Sequence, residues 1–217
     1  MLLPLAGASV FGVALVGARM LATMHDTYSF LVWNLFLAWL PFLFALALYD
    51  GYRRHASPVL LAALGAAWLL FFPNAPYIVT DFVHLAPRGG IPLWYDALTI
   101  ATAAFVGVLL GCASLFLVHS VVRRAAGERA GWVAVAVAIV LASAGIYLGR
   151  FQHLNSWDVL VDPHAILDPV RFRLTHPLGN RKLLEVMTLF SAFLSLAYLS
   201  LYGLATARLE LERGQRS

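Results

Sequence analysis

Six long runs of apolar residues divide the sequence, and each is long enough to cross a lipid bilayer or nearly so. A helix needs about 20 apolar residues to span a hydrocarbon layer of about 30 Å. The runs lack the alternation of apolar and polar residues that barrel strands show. We therefore predict an all-α fold, a polytopic transmembrane helical bundle in a single domain over residues 1–217, with spans at 3–23, 30–49, 59–72, 97–118, 132–148 and 183–205.

Composition explains why lipid should surround this bundle. Of the 217 residues, 61% are hydrophobic and 12% are charged, whereas roughly 25% are charged in soluble domains. So few charges could not cover the core of a soluble domain, so the remaining apolar surface must meet lipid. The net charge of +4 is explained by basic loops that orient membrane helices. We expect membrane lipids, and no nucleic acid, as partners.

The loop charges predict an orientation. Arginines lie in three segments that six spans would place on one side of the membrane, namely 50–58, 122–131 and the C-terminal tail. Because basic loops tend to stay in the cytoplasm, we expect both termini there. The segments 25–29, 74–96 and 150–182 would then lie on the outer side.

Two prolines interrupt the third apolar run. Pro73 and Pro76 each lack a backbone donor and disfavour helical geometry in the residue before them, so a helix from Val59 should stop near Phe72. It would rise only about 21 Å at 1.5 Å per residue, which ends it below the outer surface. Unpaired backbone in lipid costs several kcal/mol per group, so the break must face protein or a watery cavity.

A second short helix is expected to begin at Pro76, which suits a first helical position. Tyr77, Asp81 and His84 follow at i, i+4 and i+7 and would share one face of this helix. Asp81 and His84 could hydrogen-bond each other or jointly hold a cation. The positive end of the helix would point towards Asn74. Discontinuous helices of this kind often form binding sites in transporters.

Further polar residues gather beside the fourth and fifth spans. Asp96 precedes the fourth span, and Arg150 stands where the fifth leaves lipid, followed by Asn155 and Asp158. Ionisable groups at membrane depth are costly and usually functional. The sequence therefore predicts one outer site, with catalytic candidates Asp81, His84, Asp96 and Asp158 and ligand-binding candidates Asn74, Tyr77, Arg150 and Asn155.

A structural explanation competes with this one. Arg150 could simply pair with an aspartate, while the nearby aromatic residues form an interfacial belt. Arg19, late in the first span, can snorkel outward or pair with Asp81 or Asp96. His119 stands near a span end, where solvation is the simpler explanation.

Small residues recur four apart on three spans, which indicates close helix packing. The pairs are Ala8 and Gly12, Gly107 and Gly111, and Gly145 and Gly149. Small residues at this spacing let helix backbones approach closely in lipid. We expect packing within one bundle, with a homo-oligomer as the alternative.

Three segments carry a family resemblance. They are residues 72–77 (FPNAPY) followed by Asp81 and His84, residues 94–96 (WYD), and residues 149–151 (GRF) followed by 155–158 (NSWD). In this order they resemble an uncharacterised bacterial family of membrane proteins, domain of unknown function 1361, with similarity from about Trp33 to Asp158. The resemblance implies a multi-pass protein of a bacterial cytoplasmic (inner) membrane, and it brings no established activity.

Three functions stay open at this point. The leading hypothesis is a polar pocket at the extracytoplasmic end that binds a lipid headgroup or small polar molecule. If the protein is an enzyme, Asp81 and His84 would be acid/base or metal-binding groups, with Asp96 or Asp158 as a further carboxylate. The alternatives are a transporter or channel-like protein and a structural or assembly subunit. HExxH, CxxC, P-loop and GxGxxG patterns are absent, so the metal and cofactor are not identified.

Overall fold

A computed structural model of the protein describes residues 2–88, 90–152 and 180–214. Within these ranges the chain is all-α, with no strand, as predicted. The elements are α1 (Leu2–Thr23), α2 (Phe30–Arg53), α3 (Pro58–Phe71), α4 (Asn74–Tyr77), a 3-10 helix (Ile78–His84), α5 (Leu93–Ala126), α6 (Glu128–Gln152) and α7 (Arg181–Gly214).

Six helical stretches in these ranges are long and apolar enough to cross a membrane. Five are single helices, and the sixth, Pro58–His84, comprises α3, α4 and the 3-10 helix together. Large apolar side chains face outward from the bundle: Leu21 on α1 and Leu196 and Leu204 on α7 are 68–80% exposed. Such outward apolar faces are typical of contact with lipid. The fold is therefore that of a multi-pass membrane protein.

The helices extend further than the apolar runs that predicted them. α5 continues to Ala126 and α6 begins at Glu128, so the predicted loop over 122–131 is wrong. The apolar runs mark only the part of a helix that lipid covers, whereas Arg123 and Arg124 suit the negative C-terminal end of α5. Gly127 makes the turn with φ of 92°, a conformation that other residues rarely adopt.

α5 is the central helix of the bundle. It packs against α1, α2, α6 and α7 and also against α4 and the 3-10 helix. One apolar core lies between α1, α2, α4 and α5, and a second lies between α2, α3, α5, α6 and α7. Both cores contain side chains of α5, so this helix connects the two halves of the bundle.

His119 lies inside the bundle rather than at a solvated span end. Its side chain is 2% exposed, and its Nδ1 lies 2.7 Å from the hydroxyl of Tyr198 on α7. The expectation of solvation is wrong because α5 continues for two further turns beyond the apolar run. At this level α7 still packs alongside α5.

The third span is broken where the prolines predict. Ser57 caps the start of α3 by accepting from the Leu60 amide at 3.3 Å, and Pro58 fills the first helical position. α3 ends at Phe71, in agreement with the predicted stop near Phe72. It is 14 residues long, which corresponds to about 21 Å of rise.

The second part of the span differs from the prediction. α4 begins at Asn74 rather than at Pro76, and after Tyr77 the chain continues as a 3-10 helix rather than an α-helix. Pro76 is the third residue of α4, within the first turn, where a missing amide costs no helical bond. A 3-10 helix has three residues per turn, so its positions i and i+3 eclipse. Asp81 and His84 therefore lie directly above one another.

Protein rather than lipid surrounds the break. Ala75 and Ile78 are 0% exposed. A methyl group on Gly107 of α5 would collide with the Ala75 carbonyl oxygen, and one on Gly145 of α6 would lie 2.6 Å from Pro73 Cγ. The missing side chains of these two glycines thus allow the broken segment to pack closely against α5 and α6. This confirms the expected packing within one bundle at both positions.

Candidate functional site

Three of the charged candidates and Arg19 lie at one end of the bundle, which we call the Arg150 end. Here α1 ends, the 3-10 helix lies, α5 begins and α6 ends. These elements carry Arg19, Asp81, Asp96 and Arg150. The long helices alternate in direction, so residues more than 60 positions apart in sequence become neighbours at this end.

Arg150 reaches across from the end of α6 to the broken third span. Its Nη1 lies 3.4 Å from Tyr77 Oη and 3.5 Å from Asp81 Oδ1, and its Nη2 lies 3.1 Å from His84 Nε2. The guanidinium also stands 6.0 Å from the centroid of the Tyr77 ring. The structure thus brings together four of the predicted site residues, which we call the Arg150 cluster: Tyr77, Asp81, His84 and Arg150.

Asn34 of α2 fixes the carboxylate of this cluster. Its side-chain amide donates to Asp81 Oδ2 at 2.8 Å, while Arg150 approaches the other oxygen. Sequence reasoning missed Asn34, although a signal was present. It is the single amide or charged side chain between Phe30 and Tyr49, and polar residues inside apolar spans usually face the bundle interior and mark functional positions.

The contact between Arg150 and His84 defines the state of the imidazole. A guanidinium carries only donors, so His84 Nε2 accepts the 3.1 Å contact. The ring is therefore neutral in this arrangement and carries its proton on Nδ1. Asp81 and His84 were expected to bond each other or share a cation, and here the guanidinium stands between them as the shared positive group.

Exposure differs sharply between the two charged groups of the cluster. The Arg150 side chain is 15% exposed, while that of Asp81 is 1% exposed. The carboxylate is therefore enclosed, whereas the guanidinium is partly accessible.

Asp96 has a different partner. Arg19 donates to its two carboxylate oxygens at 2.6 and 3.0 Å, and the two side chains are 2% and 0% exposed. Of the alternatives for Arg19, the structure therefore shows the pair with Asp96. Asp96 is not brought to Arg150, and its predicted catalytic role stays a prediction.

Tyr28 connects the Arg19–Asp96 pair with the Arg150 cluster. Its hydroxyl donates to the His84 carbonyl at 3.3 Å, and the Arg19 guanidinium stands 4.6 Å from its ring centroid. Burial raises the pKa of Tyr28 above its usual value, and the negative charge of Asp96 raises it further. The phenol therefore stays protonated and keeps its role as a donor.

Of the remaining candidates, Asn74 alone lies within the described residues. The Asn74 side chain donates to the Phe71 carbonyl at 3.1 Å, which satisfies the end of α3. Asn155 and Asp158 lie outside the described residues. The ligand-binding roles of Asn74 and Asn155 and the catalytic role of Asp158 stay predictions.

The family is shown by sequence comparison. Residues 33–197 match the family described as Protein of unknown function (DUF1361). The chain belongs to this family. The match confirms the resemblance and extends it beyond Asp158 to residue 197 of α7. Comparison with curated proteins and with solved structures finds no match.

The DUF1361 region contains the whole Arg150 cluster. Asn34 is its second residue, and the broken span and α6 lie entirely within it, whereas Arg19 and Tyr28 precede it. Among the described residues of this DUF1361 protein, no group of three or more His, Cys, Asp or Glu side chains is placed to hold a metal ion. The Arg150 cluster accordingly offers one cation, one carboxylate, one imidazole and one phenol for binding and proton transfer.

Proposed function

We propose that this protein binds the anionic group of a lipid headgroup or small polar molecule at the Arg150 end, with Arg150 as the anion-binding group. The observation that supports the proposal is the way Arg150 is held. All its described polar contacts are 3.1–3.5 Å long, whereas charge-assisted bonds from arginine to carboxylate are commonly 2.7–2.9 Å. A ligand with better geometry can therefore replace these contacts.

The planar guanidinium suits an anion with two adjacent oxygens. Arginine presents its donors in a fixed fork that matches carboxylate and phosphate groups bidentately. Asp81 does not need Arg150 to stay in place, because Asn34 holds its other oxygen at 2.8 Å. Arg150 can thus turn towards an incoming anion while the carboxylate stays fixed.

Movement of Arg150 would also release a base. In the described arrangement His84 Nε2 accepts from Arg150, so its lone pair is occupied. When the guanidinium turns to a ligand, this lone pair becomes available to accept a proton from a hydroxyl group of the bound molecule. We propose that the protein is an enzyme in which His84 is the base and Asp81 keeps the site negatively charged beside the resulting imidazolium.

The location we propose is the inner membrane of a bacterium, with both termini in the cytoplasm and the Arg150 end on the outer side. The support is the arginine content of the opposite end, where Arg53, Arg54, Arg123 and Arg124 lie. A transporter stays the alternative function. The close packing of Ala75 on Gly107 favours the binding site over a passage along the break.

Anion binding by the full-length protein tests the proposal. Glycerol 3-phosphate and inorganic phosphate would be titrated into protein held in neutral-lipid nanodiscs, with intrinsic tryptophan fluorescence as the signal. We expect Arg150→Gln to weaken binding by at least about tenfold, since a hydrogen bond to a charged group contributes about 1.5–3 kcal/mol. Arg150→Lys should be intermediate, because an ammonium cannot bind two oxygens in the same fork.

Arg181→Gln is the matched control. Arg181 begins α7 at the same end, is 92% exposed and pairs with Glu185, so its loss changes the local charge equally without touching the cluster. It should leave binding within about twofold, because exposed ion pairs contribute little. Equal weakening by Arg150→Gln and Arg181→Gln would show general charge attraction instead of a site and would overturn the proposal.

A further inference from the structure

An apolar groove lies at the end of the bundle opposite the Arg150 cluster, which we call the Arg124 end. Its volume is about 480 Å³, and it runs between the α2–α3 pair and the α5–α6 pair. The side chains along it are almost entirely apolar and include Leu48, Leu61, Trp68, Val121, Ala125 and Val137. The groove belongs to no part of the site proposed above.

The arrangement of α3 produces the groove. α3 packs chiefly on α2, and near its C-terminal end Trp68 reaches α5, where its indole donates to Ser114 Oγ at 3.2 Å. Towards Pro58 the helix diverges from α5 and α6, leaving the space that Leu61 and Gly65 border. The groove therefore extends from Trp68, near the middle of the bundle, to Leu61 and Ala125, nearer the Arg124 end.

Two arginines are adjacent in sequence to residues that line the groove near the Arg124 end. Arg53 follows Tyr52, and Arg124 lies between Val122 and Ala125, all three of which line the groove. Both guanidiniums stand 6.0 Å from the centroid of the Tyr49 ring, so they converge on one side chain.

The two neighbouring arginines are already paired. Arg54 bonds Asp50 at 2.9 Å, and Arg123 lies 3.7 Å from Glu128. In the described part of the chain, neither Arg53 nor Arg124 forms an ion pair. Next to groove-lining residues there are thus two arginines that form no ion pair within the described residues.

We propose that this groove binds an anionic glycerophospholipid of the adjacent leaflet, with an acyl chain in the groove and the phosphate between Arg53 and Arg124. An apolar groove that meets lipid is filled most favourably by hydrocarbon. Arginines that form no ion pair within the described residues favour a negative headgroup, as basic pockets between membrane helices do for anionic lipids. The apolar lining of the groove and the two nearby arginines together fit this class of molecule.

Lipid retention tests the headgroup half of the proposal. The full-length protein would be held in phosphatidylcholine nanodiscs with phosphatidylglycerol added, released into mild detergent, and analysed by native mass spectrometry for bound lipid. We expect phosphatidylglycerol to be retained over phosphatidylcholine. The preference should fall about fivefold for each arginine removed in Arg53→Gln and Arg124→Gln. Arg54→Gln removes an equal charge from the same end and should keep the preference.

Filling the groove tests the acyl-chain half. Gly65 borders the groove and has no atom within 4 Å of a Cβ position, so Gly65→Leu places a side chain in the groove without a backbone clash. It should reduce retention of both lipids, whereas Gly17→Leu on α1, equally free of contacts, should not. Equal retention of the two lipids by the parent protein, equal effects of Arg54→Gln and Arg124→Gln, or unchanged retention by Gly65→Leu would each overturn the proposal.

Discussion

Two arginine–aspartate pairs lie at the same end of this bundle, and their geometries differ. Arg19 and Asp96 make two bonds of 2.6 and 3.0 Å and are almost completely buried. Arg150 and Asp81 make a single 3.5 Å contact, with the guanidinium 15% exposed and shared with other groups. We call Arg19–Asp96 the closed pair and Arg150–Asp81 the open pair. The residue types are the same, and the two pairs differ in contact distance and exposure.

The closed pair joins α1 to α5. A buried charge is strongly unfavourable when its partner is removed, because its loss of hydration is no longer offset. The open pair has alternatives on both sides, since Asn34 bonds Asp81 and the guanidinium reaches the surface. We therefore expect changes at Arg19 to affect stability and changes at the Arg150 cluster to affect binding and activity.

The largest effect is expected from Arg19→Ala. It leaves Asp96 buried and without its partner, which should lower the free energy of unfolding by about 3–5 kcal/mol. Thermal unfolding followed by circular dichroism in detergent measures this. The double variant Arg19→Met/Asp96→Leu removes both charges and should recover most of the loss.

Arg54→Ala is the reference for the first prediction. Arg54 and Asp50 form a similar pair at 2.9 Å, but their side chains are 78% and 52% exposed. Exposed pairs contribute about 0–1 kcal/mol, so this variant should unfold close to the parent protein. If Arg19→Ala were equally mild, the closed pair would have no special structural role.

A smaller stability effect and a larger functional one are expected from Asp81→Asn. The amide oxygen of the variant can still accept from Asn34, so the free energy of unfolding should change by about 1 kcal/mol. The variant lacks the carboxylate that the proposed reaction needs beside His84. Complementation of a deletion strain measures the activity, which should be abolished. Full complementation by both Asp81→Asn and Arg150→Ala would contradict the proposed site, and unfolding as severe as that of Arg19→Ala would contradict the open geometry of this pair.

A small effect on both stability and activity is expected from Tyr28→Phe, which removes the hydroxyl that connects the two regions. The phenol donates to the His84 carbonyl at 3.3 Å, and loss of one such bond costs about 0.5–1.5 kcal/mol. The ring, and with it the contact to Arg19, is kept. Combining Tyr28→Phe with Asp81→Asn in a double-mutant cycle would show whether the two regions are coupled, since independent sites give additive changes.

Much of the fold was predictable because lipid imposes simple requirements. Apolar length alone located six spans, and the missing donors of Pro73 and Pro76 located the break. The grouping of Tyr77, Asp81, His84 and Arg150 also followed, because alternating spans bring their outer ends to one side. The family resemblance that rests on these segments is confirmed by the DUF1361 match.

The remaining features depend on tertiary contacts that a linear pattern does not contain. The partner of Asp96 depends on how α1 packs against α5. The 3-10 geometry after Tyr77 depends on how the broken span packs on α5. Asn34 is a single polar side chain in an apolar run. Only its contact with Asp81 shows that it holds the carboxylate of the Arg150 cluster. His119 was misjudged because apolar length does not report where a helix ends.

The Arg19–Asp96 pair has a consequence for how the chain is made. Its two members are 77 residues apart, and at a synthesis rate of about 5–20 residues per second Asp96 emerges roughly 4–15 s after Arg19. During that interval the first helix carries an uncompensated charge that favours the membrane–water boundary. Its final packing in the bundle therefore waits until the stretch Leu93–Ala126 has left the ribosome, although α1 is translated well before it.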